Sequence, residues 1–133
     1  MIYLLDTNIC IYAVNGRHPQ LNQRLLSIPP KEIAVSSVTV GELEYGASKS
    51  HWGARTRQIM RAFLANFTVL PFTEDDAIIF GRFRAFLAAS GKPIGAYDVM
   101  IAAQAVARQL TVVTHNTGEF SRVPGIRLED WAI

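Results

Sequence analysis

The stretch Ile2-Tyr3-Leu4-Leu5-Asp6-Thr7-Asn8 decides how the rest of the chain is read. Four apolar residues, rich in strand formers, run straight into an acid, a hydroxyl and an amide. A strand with one wet face alternates apolar and polar side chains, and this one does not. A run apolar on both faces suits a central parallel strand covered by helices. The acid then falls just beyond the strand's carboxyl end, where open α/β sheets bind their ligands.

Working outward, Ile9 to Val14 read as a helix closed by Asn15-Gly16. Leu21, Leu25 and Leu26 are expected on one face of a second short helix, stopped by Pro29-Pro30. Glu32 to Ser36 form another short strand. Val38 to Ser50 read as a helix carrying Glu42, Leu43 and Ala47. Trp52 to Asn66 form a further helix with Ile59, Met60 and Phe63 turned inward. Thr68 to Phe72 are a strand with Pro71 near its end. Thr73 caps the next helix, with Glu74 to Asp76 in its first turn. That helix is expected to bury Ile78, Ile79, Phe83 and Leu87 and to end at Ser90-Gly91. After the loop Lys92-Pro93-Ile94-Gly95, Ala96 to Gln109 form a strongly apolar helix. Leu110 to Thr114 are a strand, and Ile126-Arg127-Leu128 a last extended piece. Strands alternating with helices predict an α/β fold: a three-layer α/β/α sandwich around a central, mainly parallel sheet.

The bulk numbers agree with one domain over residues 1–133. Half the residues are hydrophobic and 18% are charged, which favours a packed core over disorder. Thirteen basic against eleven acidic residues give a net charge of +2, which permits nucleic-acid binding without requiring it. The single cysteine, Cys10, allows no internal disulfide and fits a reducing compartment. The first residues lack the pattern of a secretory signal, and no apolar run approaches the ~18 residues of a membrane span. These features lead to the expectation of a cytoplasmic protein with no membrane contact.

Polar side chains gather at the predicted strand ends. Asp6 follows the first strand and Asn116 the strand ending at Thr114. Asp98 stands near a helix start in Gly95-Ala96-Tyr97-Asp98, and Glu42 lies one turn into the helix after the second strand. Each has an ordinary structural explanation. Asp6 could cap a helix, Glu42 could be a solvated helix residue, and Asp98 could favour a helix dipole. Asn116 could make an Asx turn, and Glu119 could be a surface acid. Together they say more, because carboxylates crowded in one pocket repel and some would have to protonate. A hard divalent cation relieves that cost, and magnesium takes oxygen ligands while keeping several waters. Such an ion suits phosphodiester hydrolysis. His18, His51 and His115 form no zinc pattern with Cys10; His115 lies near the pocket, where an exposed loop residue is the ordinary reading.

Four segments then carry a resemblance. Leu5-Asp6-Thr7-Asn8, Gly41-Glu42-Leu43-Glu44-Tyr45-Gly46-Ala47, Asp98-Val99-Met100-Ile101-Ala102-Ala103 and Val113-Thr114-His115-Asn116-Thr117-Gly118-Glu119-Phe120 resemble the PIN-domain ribonucleases. Their order and spacing are similar to the VapC toxins of bacterial toxin–antitoxin pairs. The closing Val123 to Trp131 resembles the enterobacterial-type branch, so the likeness covers essentially the whole chain. It implies a PIN fold and magnesium- or manganese-dependent endonucleolytic cleavage of RNA. It also implies a VapB-like antitoxin and a toxin homodimer. Asp6 and Asp98 take the positions of direct metal ligands, and Glu42 acts directly or through water. Asn116 takes the fourth position, where many of these nucleases carry Asp, and Glu119 is placed to supply the missing charge. Thr7, Asn8 and Thr114 fall at supporting positions. In that branch the expected substrate is initiator transfer RNA, cut in its anticodon loop.

Arg82, Arg84, Lys92 and Arg108 are candidates to guide RNA, and Tyr97 and Phe120 to meet its splayed bases. Two other classes of α/β protein fit less well. A haloacid-dehalogenase-type phosphatase needs a second Asp where Asn8 stands. A response-regulator receiver needs a preceding acid pair and a late lysine. A catalytically inert PIN module that binds RNA or a protein is the remaining alternative.

Overall fold

Leu4 and Leu5 are adjacent in sequence, both fully buried, and belong to two different hydrophobic cores. The computed structural model describes residues 1–133 and sets their strand, β1 (Tyr3–Leu5), at the centre of a five-stranded sheet. The others are β2 (Ile33–Ser36), β3 (Thr68–Leu70), β4 (Thr111–Val113) and β5 (Arg127–Glu129). Their order is β3-β2-β1-β4-β5, and every pair is parallel. Register explains the two cores. Leu4 pairs with Ala34 and Val112, and Leu5 with Val35 and Val113. Successive side chains alternate faces. Leu4, Ala34 and Val112 therefore build one core, and Leu5, Val35 and Val113 the other.

Seven helices connect and cover the strands: α1 (Thr7–Asn15), α2 (Pro19–Ser27), α3 (Ser37–Lys49), α4 (Gly53–Leu64), α5 (Glu74–Ala89), α6 (Ala96–Ala107) and α7 (Thr117–Phe120). Leu87, Val99, Ile101 and Phe120 from α5, α6 and α7 fill the first core. Ile9, Leu21 and Leu43 from α1, α2 and α3 fill the second. The expected three-layer arrangement is the one found, with a sheet that is wholly rather than mainly parallel. No helix is long and apolar enough to cross a membrane.

Three inward assignments are corrected. Leu26 is 90% exposed, Ile59 44% and Ile78 47%. Each lies beside the stripe that docks rather than on it. On α4 and just past it, Met60, Phe63, Leu64 and Phe67 pack at helical spacing, with Ile59 at their edge. On α5 the stripe is Asp76, Phe80, Phe83 and Leu87, so Phe80 packs where Ile78 was expected and an acid opens the buried face. That acid is satisfied completely. Asp76 accepts the Thr73 backbone N–H in a capping box and an N–H of Arg108. Strand β3 stops at Leu70 because Pro71 has no N–H to continue the ladder.

The strand order creates a switch point between β1 and β4. The chain leaves β1 toward β2 on one side and reaches β4 on the other only after β3. At such a point the two connections diverge and leave a crevice beyond the carboxyl ends. Asp6 and Thr114 are the first residues past those two ends.

Candidate active site

Asp6 is fixed by its own backbone surroundings. Its N–H donates to the Val113 carbonyl at 3.0 Å, tying the end of β1 to β4. Its Oδ1 accepts from the Ile9 N–H at 2.8 Å, which makes it the N-cap of α1. The side chain is only 2% exposed. Burial pushes its carboxyl up from 3.8 to about 6; bonds from Thr114 and Ile9 oppose the rise, and the charges of Asp98 and Glu42 add to it. The capping role and the cluster role are therefore held by the same residue.

Thr114 Oγ1 accepts the Asn116 N–H at 2.9 Å, and its hydroxyl beside Asp6 opposes the rise of that carboxyl. Thr7 is a relay with one polarity. Its hydroxyl donates to Glu42 Oε1 at 2.6 Å, so the 3.0 Å contact with Thr39 must be donated by Thr39. Thr39, Thr7 and Glu42 thus form a directed chain joining the starts of α1 and α3.

Asp98 sits in the first turn of α6. Burial lifts its carboxyl from 3.8 to about 6, with the charges of Glu42 and Glu119 adding to the effect. Asn116 precedes α7 without capping it; its side-chain amide donates instead to Glu119 Oε2 at 3.1 Å. Asp6 thus feels the charges of Glu42 and Asp98, Asp98 those of Glu42 and Glu119, and none of the four makes a salt bridge. No three carboxylates or histidines close into a ready-made metal cage. The donor set is an open cluster of hard oxygens with no cationic side chain paired to it. That chemistry fits a magnesium-like ion that binds through one or two carboxylates and keeps its waters.

Beside the acids opens a cavity of about 690 Å³ lined by Val38, Gly41, Glu42, Tyr45, Tyr97 and Met100. Tyr45 is 67% and Tyr97 59% exposed.

Of the residues singled out from sequence, Asp6, Thr7, Glu42, Asp98, Thr114, Asn116 and Glu119 come together. Asn8 does not; it faces solvent on α1. Phe120 is fully buried in the first core and unavailable to a base. Arg108 is committed to Asp76, while Arg82, Arg84 and Lys92 remain exposed. His115 turns from the acids toward Asp130, with Nδ1 2.9 Å from Oδ2, and its ring lies near those of Tyr12 and His18. Sequence reasoning missed Thr39 and Tyr45. The spacing Val38, Gly41, Glu42, Tyr45 is the signal for the second, since it puts that tyrosine on the face of α3 that carries Glu42.

With this geometry in place, the comparisons with known proteins are specific. The PIN domain profile matches residues 3–126. The chain belongs to the PIN-domain family. Within that family its relatives are VapC proteins. It is 41% identical over 129 residues to the tRNA(fMet)-specific endonuclease VapC of Salmonella typhimurium, covering 97% of each chain. It is 39% identical over 133 residues to ribonuclease VapC2 of Rickettsia felis, covering 98% of each. The DNA-bound VapBC crystal structure from Salmonella typhimurium superposes with a TM-score of 0.92 at 40% identity, covering 98% of both chains. VapBC-1 from nontypeable Haemophilus influenzae gives 0.88 at 30% identity over the whole of both chains.

Proposed function

We propose that this chain is a VapC-type endoribonuclease that depends on a divalent metal and forms the toxin half of a toxin–antitoxin pair. One observation carries the reading: Asp6, almost fully buried, lies close enough to Asp98 and Glu42 to feel their charges, and no basic side chain is paired to any of them. A fold rarely retains that arrangement for stability, since each buried like charge costs free energy unless a cation compensates it.

Asp6 and Asp98 are the proposed direct ligands of magnesium, with manganese able to substitute, and Glu42 binds directly or through water. When bound, such an ion activates water and stabilises charge on the phosphoryl and leaving oxygens. The chain's own groups set the stage. Thr114 and the Ile9 N–H hold the Asp6 carboxylate. Thr7 fixes the rotamer of Glu42. Asn116 holds Glu119 by its side-chain amide, and Glu119 supplies the charge that the fourth corner lacks. The proposed substrate is a transfer RNA opened in its anticodon loop. Supporting this, a relative at 41% identity is named for cleavage of tRNA(fMet). The proposed partner is a VapB-like antitoxin, supported by the VapBC assemblies among the solved neighbours. A homodimer of this chain belongs to the same reading.

Sequencing of RNA ends after brief induction in cells tests the substrate. New ends concentrated in one transfer-RNA anticodon loop are expected, and none with Asp98→Ala. Ends scattered over all RNAs, or present equally with Asp98→Ala, would contradict it.

A further inference from the structure

Glu42 belongs to two environments at once. One side joins the acid cluster, and the other lines the roughly 690 Å³ cavity with Val38, Gly41, Tyr45, Tyr97 and Met100. Val38, Gly41, Glu42 and Tyr45 follow one another at three- and four-residue steps, so they form a single stripe along α3. Tyr97 and Met100 flank Asp98 from the first turns of α6. Each wall of the cavity therefore also carries one of the acids. An occupant of the cavity lies within a side chain's length of whatever group the acids act upon.

The lining also indicates what fits. Tyr45 and Tyr97 both expose most of their surface, and neither ring pairs with another aromatic ring of the chain. The ammonium of Lys49, one turn along α3, lies over the Tyr45 ring, 5.3 Å from its centre, so a cation covers one side of that ring next to the cavity. Aromatic faces next to a basic group are the means by which single-stranded nucleic acid is held, with bases stacked and phosphates neutralised. Gly41 keeps the floor low: a Cβ built there would meet nothing within 4 Å, so the space is open rather than filled by packing.

We propose that this cavity is a nucleobase subsite, in which Tyr45 and Tyr97 stack a base of the RNA strand adjoining the cleaved phosphodiester and Lys49 meets a neighbouring phosphate. The subsite rests on the ribonuclease reading and adds a specificity element to it. Tyr45 and Tyr97 bind substrate without taking part in the bond exchange. They favour loops with a splayed base over duplex, where each base is held in its own stack.

Single-turnover cleavage of an RNA hairpin that the wild-type chain cuts provides the test. The same hairpin is also made with an abasic nucleotide at each position flanking the cut. Tyr45→Ala and Tyr97→Ala should each slow cleavage of the intact hairpin by about ten- to a hundredfold, the range of one lost stack. Tyr45→Phe and Tyr97→Phe should keep the rate. On one abasic hairpin the alanine variants should match the wild type within about twofold, because the stacked base is already absent. Gly41→Leu, which fills the cavity from an unstrained helical position, should reproduce the loss with an unchanged circular dichroism spectrum. Alanine penalties that persist on every abasic hairpin would overturn the subsite while leaving the ribonuclease reading intact. So would a changed oligomeric state, or lost antitoxin binding with cleavage unaltered; either would assign the cavity to a protein contact. If the wild type cuts no RNA at all, the ribonuclease reading falls and the subsite with it.

Discussion

The Thr7 hydroxyl donates to Glu42 Oε1 at 2.6 Å, across 35 residues of sequence. It joins the first turn of α1, launched by Asp6, to the helix that carries Glu42. Because Thr39 already occupies the lone-pair side of Thr7, the hydroxyl has no other use for its proton. Glu42 is therefore held in one orientation by a buried neighbour. Thr7→Val should lower cleavage about tenfold, the effect of a misplaced group worth ~1.4 kcal/mol. It should also cost about 1–3 kcal/mol of stability, since Thr39 loses its acceptor. Thr7→Ser should restore both. Denaturant titration alongside cleavage rates checks this; a fully active Thr7→Val would show that Glu42 needs no such support.

The pH dependence of the metal-free protein follows from Asp6 and Asp98, each raised from 3.8 to about 6. The folded chain binds these protons more tightly than the unfolded chain. The contribution of these two groups to the metal-free protein should be most favourable below about pH 4, fall as pH rises toward 6, and carry the full cost above that, whereas Asp76, held low, contributes in the opposite direction at acid pH. For Asp6 the cost is roughly 3 kcal/mol at neutral pH. Asp6→Asn keeps an oxygen for the Ile9 N–H and removes the charge, so it should abolish cleavage while raising the melting temperature at pH 7. Asp98→Ala should abolish cleavage and raise or barely change apo stability. Calorimetry from pH 4 to 8 checks both; a clear loss of apo stability in Asp98→Ala would indicate a structural role.

Arg108 and Asp76 give a prediction of the opposite kind. Asp76 is 1% exposed and its carboxyl is held below the usual range by the Arg108 guanidinium and the Thr73 bonds, against its burial. Removing the cation leaves a buried charge with one partner fewer. Arg108→Ala should cost about 3 kcal/mol with cleavage per folded molecule unchanged. A stable variant with weakened RNA cleavage would return Arg108 to the RNA-guiding role first expected of it.

The reach of the sequence followed the physics of each element. Tyr3–Leu5 and Thr111–Val113 were legible because a strand buried on both faces has no polar alternation, and β1 beside β4 put Asp6 and Thr114 at one edge. Leu26, Ile59 and Ile78 were misplaced because a helix with apolar residues on several sides does not say which stripe docks. The acids were visible as strand-end and helix-start residues. Thr39 was not, since its partner lies in another element and a hydroxyl in an apolar helix carries no local signal. Phe120 looked available next to Asn116, yet α7 is a single short turn and rotates that ring into the core.

Asn116→Asp examines the altered fourth corner. The substitution replaces the amide donor 3.1 Å from Glu119 with a second carboxylate. Apo stability at neutral pH should fall, because two like charges then face each other. Magnesium should raise the melting temperature more than it does for the wild type. Equal shifts in the two proteins would place Asn116 outside the metal site.

The most direct measurement of the central claim is RNA cleavage by the purified chain in magnesium or manganese, with a chelator added and then outcompeted by fresh metal. The acid pocket predicts cleavage that stops in excess EDTA, resumes when metal is restored, and is absent throughout in Asp6→Asn and Asp98→Ala, both folded. Cleavage that persists in excess chelator, or survives in either variant, would contradict a metal site built on these two acids.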